Sequence, residues 1–183
     1  MTKRLLHNAQ VIDPEAGTII HADIRIENGL ITQVSQSPLS ANPHEHSVDC
    51  HNKYLAPGII DIGVKVCEPG ERHKESFKSA GLAAAAGGIT TMVTRPDTTP
   101  AIDSPETLEF IARRANQATP VNVIPMAALT KGRNGREMSE IGFLMDAGAI
   151  AFTDCDHVVS NPKVFARALS YACALGALVI AHP

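Results

Sequence analysis

The sequence predicts an α/β protein, in which residues 56–183 form part of a parallel (β/α)8 barrel and residues 1–55 a small β-sandwich segment ahead of it. Three observations carry this. Apolar residues alternate with a period of two as far as Leu55, and the pattern then switches to short β-branched runs, each followed by a helical stretch. Five such runs recur, each leading into a crossover, which is the signature of βα units. No Gly-rich phosphate-binding turn opens any helix, so a doubly wound sheet is the weaker alternative.

Five segments are expected to form the N-terminal strands: Leu5–Ile12, Thr18–His21, Asp23–Glu27, Leu30–Ser35 and Ser47–Leu55. They read as antiparallel, and Asn28-Gly29 is a two-residue hairpin signal because both residues tolerate positive φ. Between them, 37–46 is rich in Pro, Ser, Asn and His and reads as a surface loop. His44-Glu45-His46 within it has the composition of a metal motif, but an irregular loop without further ligands nearby favours an ordinary loop.

The barrel part opens at Tyr54–Gly70, YLAPGIIDIGVKVCEPG. Pro57-Gly58 breaks the backbone, Ile59–Val66 is short and β-branched enough for a buried parallel strand, and Glu68-Pro69-Gly70 stops it. A helix over Lys74–Ala86 follows, its alanines permitting close approach to the sheet and Gly87-Gly88 ending it. Then come a strand at Ile89–Thr94 and a helix from Pro105 to about Ala118 with Ser104 as N-cap. The pattern continues with a strand at Val121–Ala127, a Gly- and Arg-rich loop at Thr130–Arg136, a helix at Glu137–Ala147 and a strand at Ala149–Thr153. Asn161-Pro162 caps a helix over Lys163–Leu175, Gly176 ends it, and Leu178–His182 is the last strand. A whole barrel needs about 250 residues, so these 183 residues are expected to belong to a longer protein.

Composition narrows the function classes. A hydrophobic content of 44% with 19% charged residues is that of an ordinary globular chain. The formal net charge of −3 leaves no general footprint for nucleic acid or an anionic membrane. No apolar run approaches the roughly 20 residues of a spanning helix. The N-terminus has no signal-peptide pattern, and Cys50, Cys67, Cys155 and Cys173 have no C-x-x-C spacing. A cytoplasmic protein with reduced thiols is expected.

The stretch Pro57–Gly70 resembles the cyclic amidohydrolases, and within them the bacterial dihydroorotases, whose motif reads PG-(I/F)-(I/V)-D-x-H-x-H-x-R-x-PG. Pro57, Gly58, Asp61, Glu68, Pro69 and Gly70 match. Gly63 and Lys65 stand where the family has two metal-binding histidines, and Cys67 where it has an arginine that holds substrate. Residues two apart on a strand share a face, so the family's histidine pair aims two imidazoles at the barrel mouth. Glycine has no side chain and an ammonium has no lone pair to offer a metal.

The resemblance continues at the ends of later strands, where barrel enzymes carry their chemistry. Arg95-Pro96-Asp97-Thr98-Thr99-Pro100 corresponds to M-P-N-T-x-P, with Asp97 replacing a substrate-holding asparagine. Phe152-Thr153-Asp154-Cys155-Asp156 corresponds to F-(T/S)-D-D-G, which puts Cys155 at the metal-bridging carboxylate. A one-residue slip would place Asp154 or Asp156 there instead. Ala181-His182-Pro183 keeps the metal-binding histidine of A-H-C-E.

Active members of the family open and close a cyclic amide with zinc, interconverting carbamoyl aspartate and dihydroorotate. The departures imply a non-catalytic dihydroorotase-like protein of pyrimidine biosynthesis that needs no zinc. By the same resemblance it is an oligomer that supports aspartate transcarbamoylase. The other reading is an active amidohydrolase with an altered site, using a metal held by His182 and later residues. Lys65 is expected to pair with Asp61, Asp154 or Asp156, taking over part of the metal's charge.

Overall fold

The computed structural model describes residues 3–182, so Pro183 of the Ala181-His182-Pro183 motif lies outside the described residues. The chain divides between Pro57 and Gly58 into two compact units.

The first unit holds β1 (Lys3–Asp13), β2 (Thr18–Glu27), β3 (Leu30–Ser35), β4 (His46–Asp49) and β5 (Tyr54–Leu55). These strands form one sheet of order β3-β2-β1-β4, with β5 also pairing with β1. The two segments expected over 18–27 are one continuous strand. The Asn28-Gly29 turn that follows has φ of 53° and 81°, the left-handed pair a tight hairpin needs. The segment expected at 47–55 splits, because His51 and Asn52 both take positive φ and turn the chain. Its two halves, β4 and β5, run parallel to β1 and not antiparallel. Buried Asp23 accepts hydrogen bonds from the amides of Asn8 (3.0 Å) and Leu39 (2.7 Å), tying the 37–46 loop to the sheet. Glu45 of the His44-Glu45-His46 motif is engaged by Arg25 at 2.8 Å. That carboxylate serves the loop's structure.

The second unit alternates β6 (Ile59–Val64), α1 (Phe77–Ala86), β7 (Ile89–Thr94), α2 (Pro105–Ala118), β8 (Asn122–Pro125), α3 (Ile141–Asp146), β9 (Ala151–Phe152), α4 (Pro162–Leu175) and β10 (Leu178–Val179). Strands β6-β7-β8 form one parallel sheet and β9-β10 another. A parallel bridge from Ala127 to Phe152 links the two. Strand order therefore follows chain order with no reversal among the described residues.

Local chemistry sets the helix ends. Ser76 caps α1 in a reciprocal capping box with Ser79, and the Phe77 amide donates to Glu68, so the helix starts three residues later than expected. Ser104 with Pro105, and Asn161 with Pro162, open α2 and α4 as the sequence predicts, and Gly176 ends α4 with φ 69°. The expected helix from 137 is reduced to α3 because its first residues are tied back to the preceding loop. The Ser139 hydroxyl donates to the Ala128 carbonyl at 2.6 Å, and the Lys131 amide to the Glu137 carbonyl.

The main core lies between sheet and helices, with Phe77, Met92, Leu108, Ile111, Leu144 and Phe152 at its centre. A smaller cluster of Val93, Met126 and Ala151 occupies the opposite face of the strands. Val93 at the end of β7 lies on this second face, and Arg95, two residues on, continues it at the C-terminal end of the strands. Ile59, Ile60 and Ile62 on β6 and Leu178 on β10, the two edge strands, are exposed.

Candidate functional site

Strand β6 ends irregularly. Ile62 pairs with Val93 and Val64 with Thr94, leaving Gly63 as an extra residue at φ 93°. This bulge shifts the phase of the alternation. Asp61 falls on the helix-facing side, beside Glu75 and Ala80, whereas Ile62 and Gly63 line a cavity at the C-terminal end of the strands. Asp61, one of the partners expected for Lys65, is therefore turned away from that cavity.

That cavity, of about 300 Å³, is also lined by Arg95, Met126, Thr153, Cys155, Asp156 and His182. A second cavity of about 300 Å³ also reaches His182, and it includes Asp154, His157 and Phe165. The structure thus brings Gly63, Cys155 and His182, from the ends of three strands, to one place.

Beside the cavity lies a charge cluster built on Asp97, whose side chain is 4% exposed. Lys65 Nζ sits 3.0 Å from Asp97 Oδ2, so its partner is Asp97 and not Asp61, Asp154 or Asp156. Arg95 reaches both oxygens of Asp97, with Nη2 2.9 Å from Oδ2, and Nη2 is also 2.9 Å from Asp156 Oδ2. Arg133 approaches Asp97 at 4.0 Å. Lys65 itself is half exposed.

The hydrogen bond and charge of Asp97 raise the Lys65 pKa, and Arg95 holds the Asp156 carboxyl below the usual range. Burial works against the Arg95 charge, but the bond to Asp156 and the charge of Asp97 outweigh it and raise its pKa.

Close backbone approach assembles this cluster. A Cβ on Gly70, at φ 108°, would fall 2.7 Å from the Thr99 Cβ, and the Thr99 amide donates to the Pro69 carbonyl. Glycine at 70 thereby lets the loop carrying Lys65 lie against the loop carrying Asp97. Glu68, 6% exposed, fastens the first of these loops. It accepts from Arg114 Nε at 2.8 Å and from the Phe77 amide at 2.9 Å. Cys67 is half-buried and does not line the cavity.

At the end of β9, Asp154 is committed to structure. Its two oxygens accept from the amide (2.9 Å) and the hydroxyl of Thr130. Cys155, at φ 58°, is the residue turned to the Gly63 cavity, with Asp156. Burial, and then the Asp97 charge, push its thiol pKa up, so it is protonated at neutral pH.

Several groups around the cavity oppose a bound cation. Gly63 offers no side-chain donor, Lys65 and Arg95 bring positive charge, and Asp156 is held by Arg95. Among the described residues no group of three or more His, Cys, Asp or Glu side chains is placed to hold a metal.

Arg95, Arg133 and Arg114 were not foreseen as site residues. Arg95 had a usable signal: it lies two positions beyond inward-facing Val93, at the end of its strand. Arg133 and Arg114 arrive from distant loops and helices and carry no local signal.

Residues 52–183 match the family model described as Dihydro-orotase-like. The chain belongs to the dihydro-orotase-like family. Among its relatives, the dihydroorotase of Trichlorobacter lovleyi is 35% identical over 178 residues, covering 97% of this chain and 42% of the relative. The dihydroorotase of Geobacillus thermodenitrificans is 37% identical over 168 residues, covering 92% and 39%. The chain spans about two fifths of the length of these relatives.

Among solved structures, the L-hydantoinase (dihydropyrimidinase) of Arthrobacter aurescens superposes with a TM-score of 0.84 at 21% identity, covering 100% of this chain and 41% of that one. The D-hydantoinase (dihydropyrimidinase) of a Thermus species gives 0.77 at 25% identity, covering 98% and 40%. The α/β fold of this dihydro-orotase-like chain is thus shared with the hydantoinases. Among the described residues no helix is long and apolar enough to cross a membrane.

Proposed function

We propose that this chain is part of a dihydroorotase-like protein of pyrimidine biosynthesis in which an ion-pair cluster has replaced the metal centre. On this reading the five parallel strands are one arc of a (β/α)8 barrel, and the protein is cytoplasmic and non-catalytic. Its role is structural or regulatory, as an oligomer with aspartate transcarbamoylase as partner.

The observation that carries the reading is the Lys65–Asp97–Arg95 cluster. Two cations share one buried carboxylate, and Arg95 extends to Asp156 in the cavity that also holds Gly63, Cys155 and His182. Cations there oppose a second positive charge, so the mouth keeps its carboxylates neutralised without zinc. The dihydroorotase names of the relatives support the pathway.

The alternative is an active amidohydrolase that interconverts carbamoyl aspartate and dihydroorotate at an altered metal site. What favours it is that Cys155, Asp156 and His182 line the same cavity.

Two predictions separate these readings. The full-length protein is expected to purify with less than stoichiometric zinc and to gain little from added metal, since only a ligand bound to the native state raises Tm. A rise of several degrees with micromolar zinc would favour the alternative.

Restoring histidines singly, as Gly63→His or Lys65→His, is expected to leave the protein inactive, because catalytic groups that act as a unit are strongly non-additive. Gly63→His should also destabilise by about 1–3 kcal/mol, because it puts a side chain at φ 93°. Dihydroorotase turnover in either variant would contradict the reading.

A further inference from the structure

Away from the mouth, a groove of about 380 Å³ lies between the loop after β8 and α4, lined by Arg136, Lys163 and Arg167 together with Glu137 and Glu140. None of its lining residues is shared with the cavity that holds Gly63, Arg95 and His182. We propose that this groove binds a small dianion of the phosphate class.

The first argument is charge that the fold leaves uncompensated. Lys65, Arg95, Lys131 and Arg133 each lie within 4.0 Å of a carboxylate. Arg136, Lys163 and Arg167 make no ion pair among the described residues, although the chain as a whole is acidic, at −3. Glu137 is already neutralised by Lys131, so the groove's three free cations face one uncommitted acid, Glu140. Like charges gathered this way repel one another, and an anion relieves that repulsion.

Geometry supplies the second argument. Lys163 lies in the first turn of the 14-residue α4 and Arg167 four residues on, so they share one helix face near its N-terminus. Arg136, from the loop after β8, lines the same groove. Two guanidinium groups and an ammonium lining one groove suit the several oxygens of a phosphoryl group, which arginine binds in bidentate fashion. The volume matches a metabolite-sized ligand.

The loop that carries Arg136 is held before any ligand arrives. Thr130 is bonded to Asp154, the Gly135 amide donates to the Thr130 hydroxyl at 2.9 Å, and Ser139 is bonded to the Ala128 carbonyl. Binding therefore requires little ordering of the backbone.

The test is calorimetric titration of the full-length protein with inorganic phosphate, glycerol 3-phosphate and succinate, at matched ionic strength set with sodium chloride. Saturable phosphate binding is expected, weakened about tenfold or more in the double variant Lys163→Gln/Arg167→Gln, because charge-assisted contacts are lost. Tighter binding of glycerol 3-phosphate would identify an ester as the ligand, and equal binding free phosphate; both support the site.

A gain-of-function arm covers the case in which the double variant fails to fold. Glu140→Gln removes the uncommitted acid and should tighten phosphate binding about threefold. Absence of saturable binding in the native protein, affinities unchanged by these substitutions, or succinate binding as tightly as phosphate would overturn the proposal.

Discussion

Replacing Asp97 with alanine is expected to lower the unfolding free energy by about 3–5 kcal/mol, the usual cost of stranding the partners of a buried charge. Its side chain is 4% exposed and neutralises Lys65 and Arg95 directly, with Arg133 at 4.0 Å. Removing it leaves three cations gathered at one loop junction. Asp97→Asn keeps the shape and isolates the electrostatic part.

Lys65→Met should cost no more than about 1 kcal/mol, since that ammonium is half exposed and screened by water. In a Lys65→Met background the Asp97→Ala penalty should shrink, because one of the stranded cations is then gone. Urea unfolding of the native protein and these four variants at neutral pH measures all of this. An Asp97→Ala cost below about 1 kcal/mol would show that the cluster is solvated and does not hold the mouth together.

The second large effect is expected at Glu68. Burial alone would raise its pKa, but the hydrogen bonds from Arg114 and from the Phe77 amide outweigh burial and hold it below its ordinary value of 4.5. A carboxyl with a depressed folded-state pKa contributes stability that is present above the unfolded pKa and is lost as pH falls through the folded one. Glu68→Gln should therefore cost about 1.5–3 kcal/mol at pH 7, the range for hydrogen bonds to a charged group. The gap between the two proteins should close as pH drops below about 4.5. Chemical denaturation at pH 7 and pH 3 checks the sign, and a gap that widened in acid would contradict it.

Much of this architecture could be read from residue order alone. Ser104-Pro105, Asn161-Pro162 and Gly176 fixed the ends of α2 and α4, because a cap acts within one turn of the residue that supplies it. β7 runs over Ile89–Thr94 as its β-branched pattern requires.

What local pattern missed came from long-range contacts. The parallel pairing of β4 and β5 with β1 depends on where the chain returns after the 37–46 loop, which alternation cannot reveal. The late start of α3 follows from Ser139 bonding to residues ten or more positions away.

The site shows the same division. That Gly63, Lys65, Cys67, Asp97, Cys155 and His182 are the positions to inspect was visible in the sequence, through the resemblance to the family's motifs. The pairing of Lys65 with Asp97 was not. It depends on a bulge at Gly63 that reverses the facing of Asp61, and on the close approach of Gly70 to Thr99. Neither is encoded in strand parity.

The most direct test of the account is steady-state turnover by the full-length protein supplied with zinc, with both carbamoyl aspartate and dihydroorotate as substrates. A protein whose mouth is held by Lys65, Asp97 and Arg95 in place of a metal is predicted to show no turnover above the uncatalysed background in either direction. Turnover that saturates with substrate and disappears on chelation would contradict it.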